Sequence, residues 1–589
     1  HVDVQKLKFH NGDLWMGNDG GIYKTADGGN SWSYYQNMQT SLIHKIAVSE
    51  QEPNDLLTGW QDNGSAYSSG NSWEQVTGGD GFYCFFDYTD NKHRFTSNQF
   101  GNVFETTDGI SYNQIVSSYG ATGVHSQGNF ITKIIQNRTD KDNFFIGKDK
   151  LYETNGDTLT FPGNWTSSSA VPYTSPFNKI NTFDICQKND DYIYIQSNGD
   201  AFRSTDHGQS WTDISSGLDL DSSYLSEIIV SPHDSLHIWV SKSGINEYSK
   251  VYESFDGGDS WINITSSGLP NIPINSIEYQ KGSQNRIYVS TMSGIYYKDD
   301  TQTNWEMFGT GLPNCAVREM TIDYQNGIIY AATYGRGIWH NNVLLDSIPP
   351  NAEARAFPQD KCGFGTGEVV YLDLSTGTPT SWEWTFSGGN PSTSSMPSPF
   401  VTYPSTGTYT AQLITTNSWG ADTIEISLFV ENAPIISDFG NILTTALGYS
   451  YEWFWEGTSL SNSDSNSIEV NQAGYYHVVV TDSNGCSASS DSLFINLVSV
   501  NEYEDDQILF YPNPAGDVLN VVVQENTDLF FELVLTNIFG QIVITPIKLD
   551  GKKEMEIGVQ QLPKGVYFLN IINSSGSIQR CFKIIIGRR

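Results

Sequence analysis

Basic residues are scarce: 31 Lys and Arg stand against 66 Asp and Glu in 589 residues, a formal net charge of −35. Such a surface repels phosphate backbones and anionic headgroups, so no nucleic-acid partner is expected. The six cysteines, Cys84, Cys186, Cys315, Cys362, Cys486 and Cys581, stand singly with no CxxC pair, which implies neither a zinc site nor a dense disulfide framework. No apolar run approaches the roughly 18 to 20 residues that a membrane helix needs. HExxH, GxSxG and Walker-type motifs are absent, leaving peptidase and nucleotide functions without support. The chain begins at His1 without a charged-then-apolar leader, so a processed or truncated product is expected.

Charged residues make up only 16%, too few for Glu/Lys/Ala-rich helices, whereas aromatics reach 13% and glycines number 54. That mixture suits short strands and tight turns, and the fold class read from it is all-β. The 15 Trp, 32 Tyr and 30 Phe supply enough apolar surface to exclude global disorder. The length, roughly four typical domains, predicts three to five of them.

One octad recurs: Thr25 to Trp32 (TADGGNSW), Ser204 to Trp211 (STDHGQSW) and Ser254 to Trp261 (SFDGGDSW). Weaker copies end at Trp73, Tyr112, Trp165 and Trp305, with successive spacings of 41, 39, 53, 46, 50 and 44 residues. That period is the length of a four-stranded propeller blade. Each octad joins two short strands as a hairpin turn. Its Asp accepts backbone N–H bonds, its Gly takes a conformation closed to other residues, and its Trp packs between blades. These residues resemble the Asp-box (BNR) repeat of sialidases, sortilin-type receptors and xyloglucan-hydrolase propellers. Asp27, Trp32, Asp206, Trp211, Asp256 and Trp261 are accordingly read as scaffold. Residues 1–345 are read as seven blades plus a partial eighth, truncated at the N-terminus, with a closing strand to come from elsewhere.

A Pro-marked linker, Ser347 to Asn351, precedes a Ser/Thr/Gly-rich region. Trp382-Glu383-Trp384-Thr385-Phe386, Tyr403 and Gly407 to Leu413 resemble a PKD-type Ig-like sandwich, assigned to 351–432. Tyr451 to Gly457 and Gly474 to Cys486 look like a second Ig-like module, assigned to 433–498.

Four motifs close the chain: Tyr511-Pro512-Asn513-Pro514, Asn537-Ile538-Phe539-Gly540-Gln541, Leu562-Pro563-Lys564-Gly565-Val566-Tyr567, and Cys581-Phe582-Lys583. In this order they resemble the type A C-terminal sorting domain of type IX secretion, assigned to 505–589. The resemblance implies a Bacteroidetes-type cell, export to the cell surface or medium, and recognition by the outer-membrane shuttle barrel and translocon. It further implies cleavage and attachment to lipopolysaccharide, or release. Residues 548–589 hold 8 of the 31 basic residues, so the tail is electrostatically unlike the acidic body. The tripeptides Asp157-Thr158-Leu159, Asp234-Ser235-Leu236, Asp346-Ser347-Ile348, Asp422-Thr423-Ile424 and Asp491-Ser492-Leu493 are similar to O-glycosylation sites of such secreted proteins.

Strand direction alternates within a blade. Asp boxes therefore lie on one face, and the turns between second and third strands share the other with the blade connections. Ligand-binding candidates on that second face are Asp19, Asp62, Asn63, Asp80, Tyr334 and Arg336. Glycoside hydrolysis needs two carboxylates roughly 5 to 10 Å apart, and Asp19, Asp62 and Asp80 are the catalytic candidates. Asp and Asn beside Gly are also what tight turns select, so the same residues read equally as turn chemistry. Only Arg318 and Arg336 are expected to reach this face, which argues against a sialidase arginine cluster. No cofactor motif occurs; calcium is the one ion the acidic loops would suit, at Asp87 with Asp90 or Asp140 with Asp142. Two readings follow: a glycan- or protein-binding adhesion face, favoured here, or a polysaccharide-degrading glycoside hydrolase.

Overall fold

The computed structural model describes residues 4–18, 21–35, 41–70, 72–117, 124, 126–154, 165–173, 178–197, 199–219, 225–245, 248–358, 367–405, 407–430, 434–438, 442–445, 450–460, 464–481, 487–495, 508–523, 532–538, 541–548, 553–572 and 578–587. Asp19, Gly540, Cys362, Cys486 and Asp157-Thr158-Leu159 lie outside them. Among the described residues every regular element is a strand, apart from one turn of 3-10 helix at Gln99–Gly101, and no helix is long and apolar enough to cross a membrane. The chain divides into two compact units: residues 1–435 with 446–451 and 479–490, and residues 436–445 with 452–478 and 491–589.

The first unit opens with eight consecutive antiparallel sheets, blades I to VIII, whose first strands are Val4–His10, Ile43–Val48, Cys84–Phe86, Ile134–Gln136, Thr182–Ile185, Leu225–Val230, Ile274–Tyr279 and Val317–Asp323. Blades I to VII have four strands in sequence order, and blade VIII has three. Inner strands such as Ile193–Ser197 are buried along their whole length because both faces meet neighbouring blades.

Each pair of adjoining blades from II to VIII shares its own apolar core. Leu57 meets Cys84 and Phe86; Phe95 and Val103 meet Phe144; Phe145 meets Phe183; Tyr194 meets Ile228; Trp239 meets Ile277; Tyr288 meets Met320. A seventh core, Ala332 with Ile43 and Ile46, joins blade VIII to blade II. The ring is therefore closed by seven blades, II to VIII. Blade I stands outside it and contributes to none of these cores. Its first strand is exposed throughout, with Val4, Leu7 and Phe9 in the open.

The Asp boxes share one set of hydrogen bonds. In the third copy Ser260 N–H and Oγ donate to Asp256 Oδ1 and Oδ2 at 2.8 and 2.5 Å, and Ser254 Oγ donates to Oδ1 at 2.7 Å. Asp27 and Asp206 repeat the pattern with Ser31 and Ser210. The Trp that follows reaches back to the preceding blade: Trp261 Nε1 donates to Ile214 O at 2.8 Å and Trp305 Nε1 to Ile264 O at 3.1 Å. Trp211 is partly buried against the core between blades IV and V. Trp32, on blade I, meets no such neighbour among the described residues and is 37% exposed.

After the propeller, two sheets pack as a sandwich: Ala354–Pro358, Glu368–Asp373 and Phe400–Thr402 against Thr393–Ser394, Ser381–Phe386, Gly407–Asn417 and Gly420–Val430. Ser381–Phe386 alternates strictly, placing Trp382, Trp384 and Phe386 in the core with Tyr371 and Tyr403.

In the second unit, Ile442–Thr444 lies between Ser437–Asp438 and Ser467–Glu469, and Trp453 is fully buried with Nε1 donating to Ser465 O at 2.8 Å. The C-terminal sandwich packs Ile508–Tyr511, Val518–Val523 and Glu554–Gly558 against Ile542–Lys548, Glu532–Asn537, Gly565–Ile572 and Ile578–Ile586. Leu519, Val521, Leu535, Ile557, Leu569 and Ile584 form its core.

Candidate functional site

The two faces of the ring differ in what covers them. On the Asp-box face, loops between first and second strands meet the following sandwich. Lys188 pairs with Glu353 at 2.9 Å and Lys141 with Glu368 at 3.3 Å. Thr378 N–H donates to Gly282 O, and Tyr88 packs on Val370 and Leu372. Arg286, Asp299 and Asp346 form a buried ion triad, Arg286 Nη2 lying 2.8 Å from each carboxylate. Asp346 stands immediately before the linker, so the triad fixes the sandwich's point of departure.

Beneath the sandwich lies a cavity of about 390 Å³, lined by residues that include Asp184, Glu227, Glu278, Glu319, Lys133, Lys281 and, from the sandwich, Asp373 and Trp382. Lys45 pairs with Glu319, and Lys133 with Glu227 at 3.5 Å. Burial, with Glu319 and Glu227 nearby, pushes Glu278 well above the usual carboxylate range. Burial likewise raises Asp373 to about 6, although Ser375 and the Trp382 indole donate to it.

The opposite face carries the turns between second and third strands and the blade connections. There the Asp62 turn and the Asp80 loop are locked together: Asp62 N–H donates to Asp80 Oδ1 at 2.7 Å, and Gln99 Nε2 donates to Asp80 Oδ2 at 2.6 Å. Asp62 itself has φ of +58°, an uncommon left-handed conformation for a residue with a side chain. The two segments approach so closely that a Cβ at Gly64 would stand 1.8 Å from Thr77 O, and one at Gly81 would stand 2.1 Å from Gly64 O. Asn63 Nδ2 donates to Gln61 O at 3.0 Å. Both oxygens of Asp80 are thus committed to holding turns.

Tyr334 stands where the ring closes. Its backbone bridges Leu42, its hydroxyl donates to Gln61 Oε1, and the Arg318 guanidinium lies 4.8 Å from its ring centre. Arg336 is exposed, with its N–H donating to Thr333 Oγ1 at 3.1 Å. From Tyr334 a line of rings crosses blades VIII, II, III and IV: His44 at 5.8 Å, Phe82 at 5.0 Å from His44, Phe130 at 5.2 Å from Phe82, and Phe100 at 5.5 Å from Phe130. Phe130 is half exposed, and Phe100, at φ +63°, is tied to it by Phe100 N–H donating to Phe130 O. Burial, then Arg318 and Lys45, pushes His44 down to about 4, so at neutral pH it is an uncharged ring in an apolar row. The sequence reading named Tyr334 but missed His44, Phe82, Phe100 and Phe130. A phenylalanine inside the Gln-Phe-Gly turn was the available signal.

The acidic loops proposed for calcium hold their own partners. Asp87 accepts from Thr89 and His93, Asp90 from Lys92 N–H, Asp140 from Asp142 N–H, and Asp142 pairs with Lys141. Among the described residues Asp190, Asp191 and His207 could converge on an ion. Yet His207 Nε2 is 2.8 Å from Glu153, and Asp190 accepts from Asn137 and Thr139.

At the C-terminal sandwich, Asn513 is the clasp of its Pro-Asn-Pro turn: Nδ2 donates to Lys583 O at 3.0 Å and Oδ1 accepts from Ile585 N–H at 2.8 Å. Pro512 and Pro514 flank it, and Tyr567, two residues after Gly565, donates to Pro563 O beside Lys564.

Residues 509–587 match the family described as secretion system C-terminal sorting domain. The chain carries a type IX secretion signal. Residues 357–430 match the PKD domain. The protein is thus a β-propeller with a PKD domain and a sorting tail, exported to the cell surface or extracellular space and engaging the type IX machinery through that tail. No curated protein matches the chain in sequence. Similar solved structures include an ancestral GH74 enzyme (10% identity, 99% of this chain and 92% of that one, TM-score 0.37). YCF48 from Cyanidioschyzon merolae is 13% identical over 49% of this chain and 92% of its own, at TM-score 0.33. PorZ, a surface component of the type IX secretion system of Porphyromonas gingivalis, is 11% identical over 100% and 87%, at TM-score 0.21.

Proposed function

We propose that the exported chain is a recognition protein whose propeller face opposite the sandwich binds an extracellular glycan or protein. The ring line from Tyr334 to Phe100 carries this reading: it offers apolar, partly exposed π-surface with the Arg318 guanidinium over the Tyr334 ring, the combination that anchors both sugar rings and protein side chains. The PKD domain supports it by occupying the other face, which leaves this one to meet a ligand. Asp62, Asn63 and Asp80 frame the edge of the surface.

Hydrolysis of polysaccharide by Asp62 and Asp80, or by Asp19, is the second reading. Asp80 speaks against it, because a general acid or base must present an oxygen to substrate and both of its oxygens already accept protein donors. At the other end of the chain, we read the sorting tail as the segment grasped by an outer-membrane shuttle barrel. Cleavage and a lipopolysaccharide anchor follow from the same reading.

The test is retention of the full chain on immobilised plant and microbial polysaccharides and on extracellular protein extracts, beside Phe130→Ala/Tyr334→Ala. Retention that the double variant loses supports the reading. Retention that it keeps, with the fold intact, removes this face from the account.

A further inference from the structure

The cavity beneath the sandwich takes wall residues from each of blades II to VIII and from the sandwich itself, so it exists only where the two are docked. Its volume, about 390 Å³, falls among small-molecule sites, which span about 300–1,000 Å³. Trp382, Pro379 and Pro397 of the sandwich give it an apolar roof.

Most charged groups on the wall are answered within the protein. Glu319 pairs with Lys45, Glu227 with Lys133 and Glu50 with Arg138. Asp184 accepts from Val230 N–H at 2.9 Å, Asp323 from Asn326 Nδ2 at 2.7 Å, and Asp373 from the Trp382 indole at 2.7 Å.

Glu278 and Lys281 are the exceptions. Among the described residues neither charged group takes a hydrogen bond or an ion pair, and the two are too far apart to pair with each other. Both belong to blade VII. Glu278 lies in the strand Ile274–Tyr279, and Lys281 follows it, fixed by its N–H donating to the Tyr324 hydroxyl at 2.9 Å. Lys281 Nζ stands 5.4 Å from the centre of the Tyr324 ring. Burial, with Glu319 and Glu227 nearby, favours the protonated form of Glu278, and burial with Arg138 pulls Lys281 down to about 8. Two buried groups of opposite sign, both without a protein partner in one cavity, cost stability that a complementary ligand would restore.

We propose that this cavity binds a free α-amino acid, its ammonium against the Glu278 carboxylate, its carboxylate against Lys281 Nζ, and its side chain under the sandwich's Trp382 and prolines. The site is separate from the aromatic row on the opposite face. Because the sandwich supplies its roof, an occupant also stabilises the docked arrangement.

Isothermal titration calorimetry of the full chain with the standard L-amino acids, each supplied singly, tests it beside n-butylamine and butyrate, which carry a single charge. Saturable binding of at least one amino acid is expected, with neither single-charge compound matching it. Glu278→Gln and Lys281→Met should each weaken that binding about tenfold or more. Both variants should keep or raise the thermal midpoint of the ligand-free chain, since neither side chain holds a protein partner. Absence of saturation by every amino acid up to about 1 mM overturns the proposal. So does equal binding of butylamine or butyrate, which would make the cavity a site for a cation or an anion alone, and so does amino-acid binding that both variants retain.

Discussion

The backbone N–H of Asp62 donates to the carboxylate of Asp80 across 2.7 Å, joining the hairpin turn of blade II to the segment that leads into blade III. With Gln99 on its other oxygen, Asp80 is the clamp of the face opposite the sandwich. Asp80→Ala should destabilise the propeller by about 1–3 kcal/mol, because two donors lose their acceptor. Asp80→Asn, which keeps one acceptor oxygen, should recover most of that. Chemical denaturation of the full chain separates the two variants.

Arg286 sits between Asp299 and Asp346 in a buried triad. Arg286→Ala leaves two buried carboxylates without their cation and is expected to cost about 3–5 kcal/mol. The linker at residues 347–350 should then become sensitive to limited proteolysis, while Lys188→Ala, which removes a more exposed pair, should not change it.

His93 lies between Asp87 (3.0 Å) and Glu105 (2.7 Å). Burial alone would push it down, but the two carboxylates outweigh burial and raise it to about 9. The folded state therefore binds this proton more tightly than the unfolded chain, whose histidine titrates near 6.5. The stabilisation, on the order of 2 kcal/mol, is complete below about 6.5 and is lost as pH rises through 9. In His93→Gln the unfolding midpoint should be flatter across that window.

Asp256 is held down to about 2 by Ser260 and Ser254. Its depressed value means that its contribution is present above about 4 and fades as pH falls through 2. Asp256→Asn should lower the thermal midpoint at pH 7 by more than at pH 2, and Ser260→Ala should share the effect. Circular dichroism melts at the two pH values read this directly.

Features carried by local bonds could be read from the sequence. The Asp box is such a case, since Asp256 bonds residues two before and four after it, and an octad contains the whole motif. The inward alternation of Trp382, Trp384 and Phe386, and the Pro-Asn-Pro turn, were legible for the same reason. Ring closure was not, because it rests on Tyr334 meeting Leu42 and Gln61, roughly 270 to 290 positions earlier, which no local pattern encodes. It is this contact that seats blade VIII against blade II and leaves blade I outside. The ring line was hidden likewise: His44, Phe82, Phe100 and Phe130 come from separate segments and become neighbours only when the blades pack. The Asp62 and Asp80 turns were visible as Gly-flanked aspartates, but their mutual bond, which speaks for turn chemistry at Asp80, was not.

The most direct test of recognition without hydrolysis is reducing-end release by the full chain on whichever polysaccharides retain it. The account predicts no new reducing ends above a heat-denatured control, with Asp62→Ala and Asp80→Ala indistinguishable from the parent. Release that either substitution abolishes while the fold persists would contradict it and make those carboxylates an acid and base.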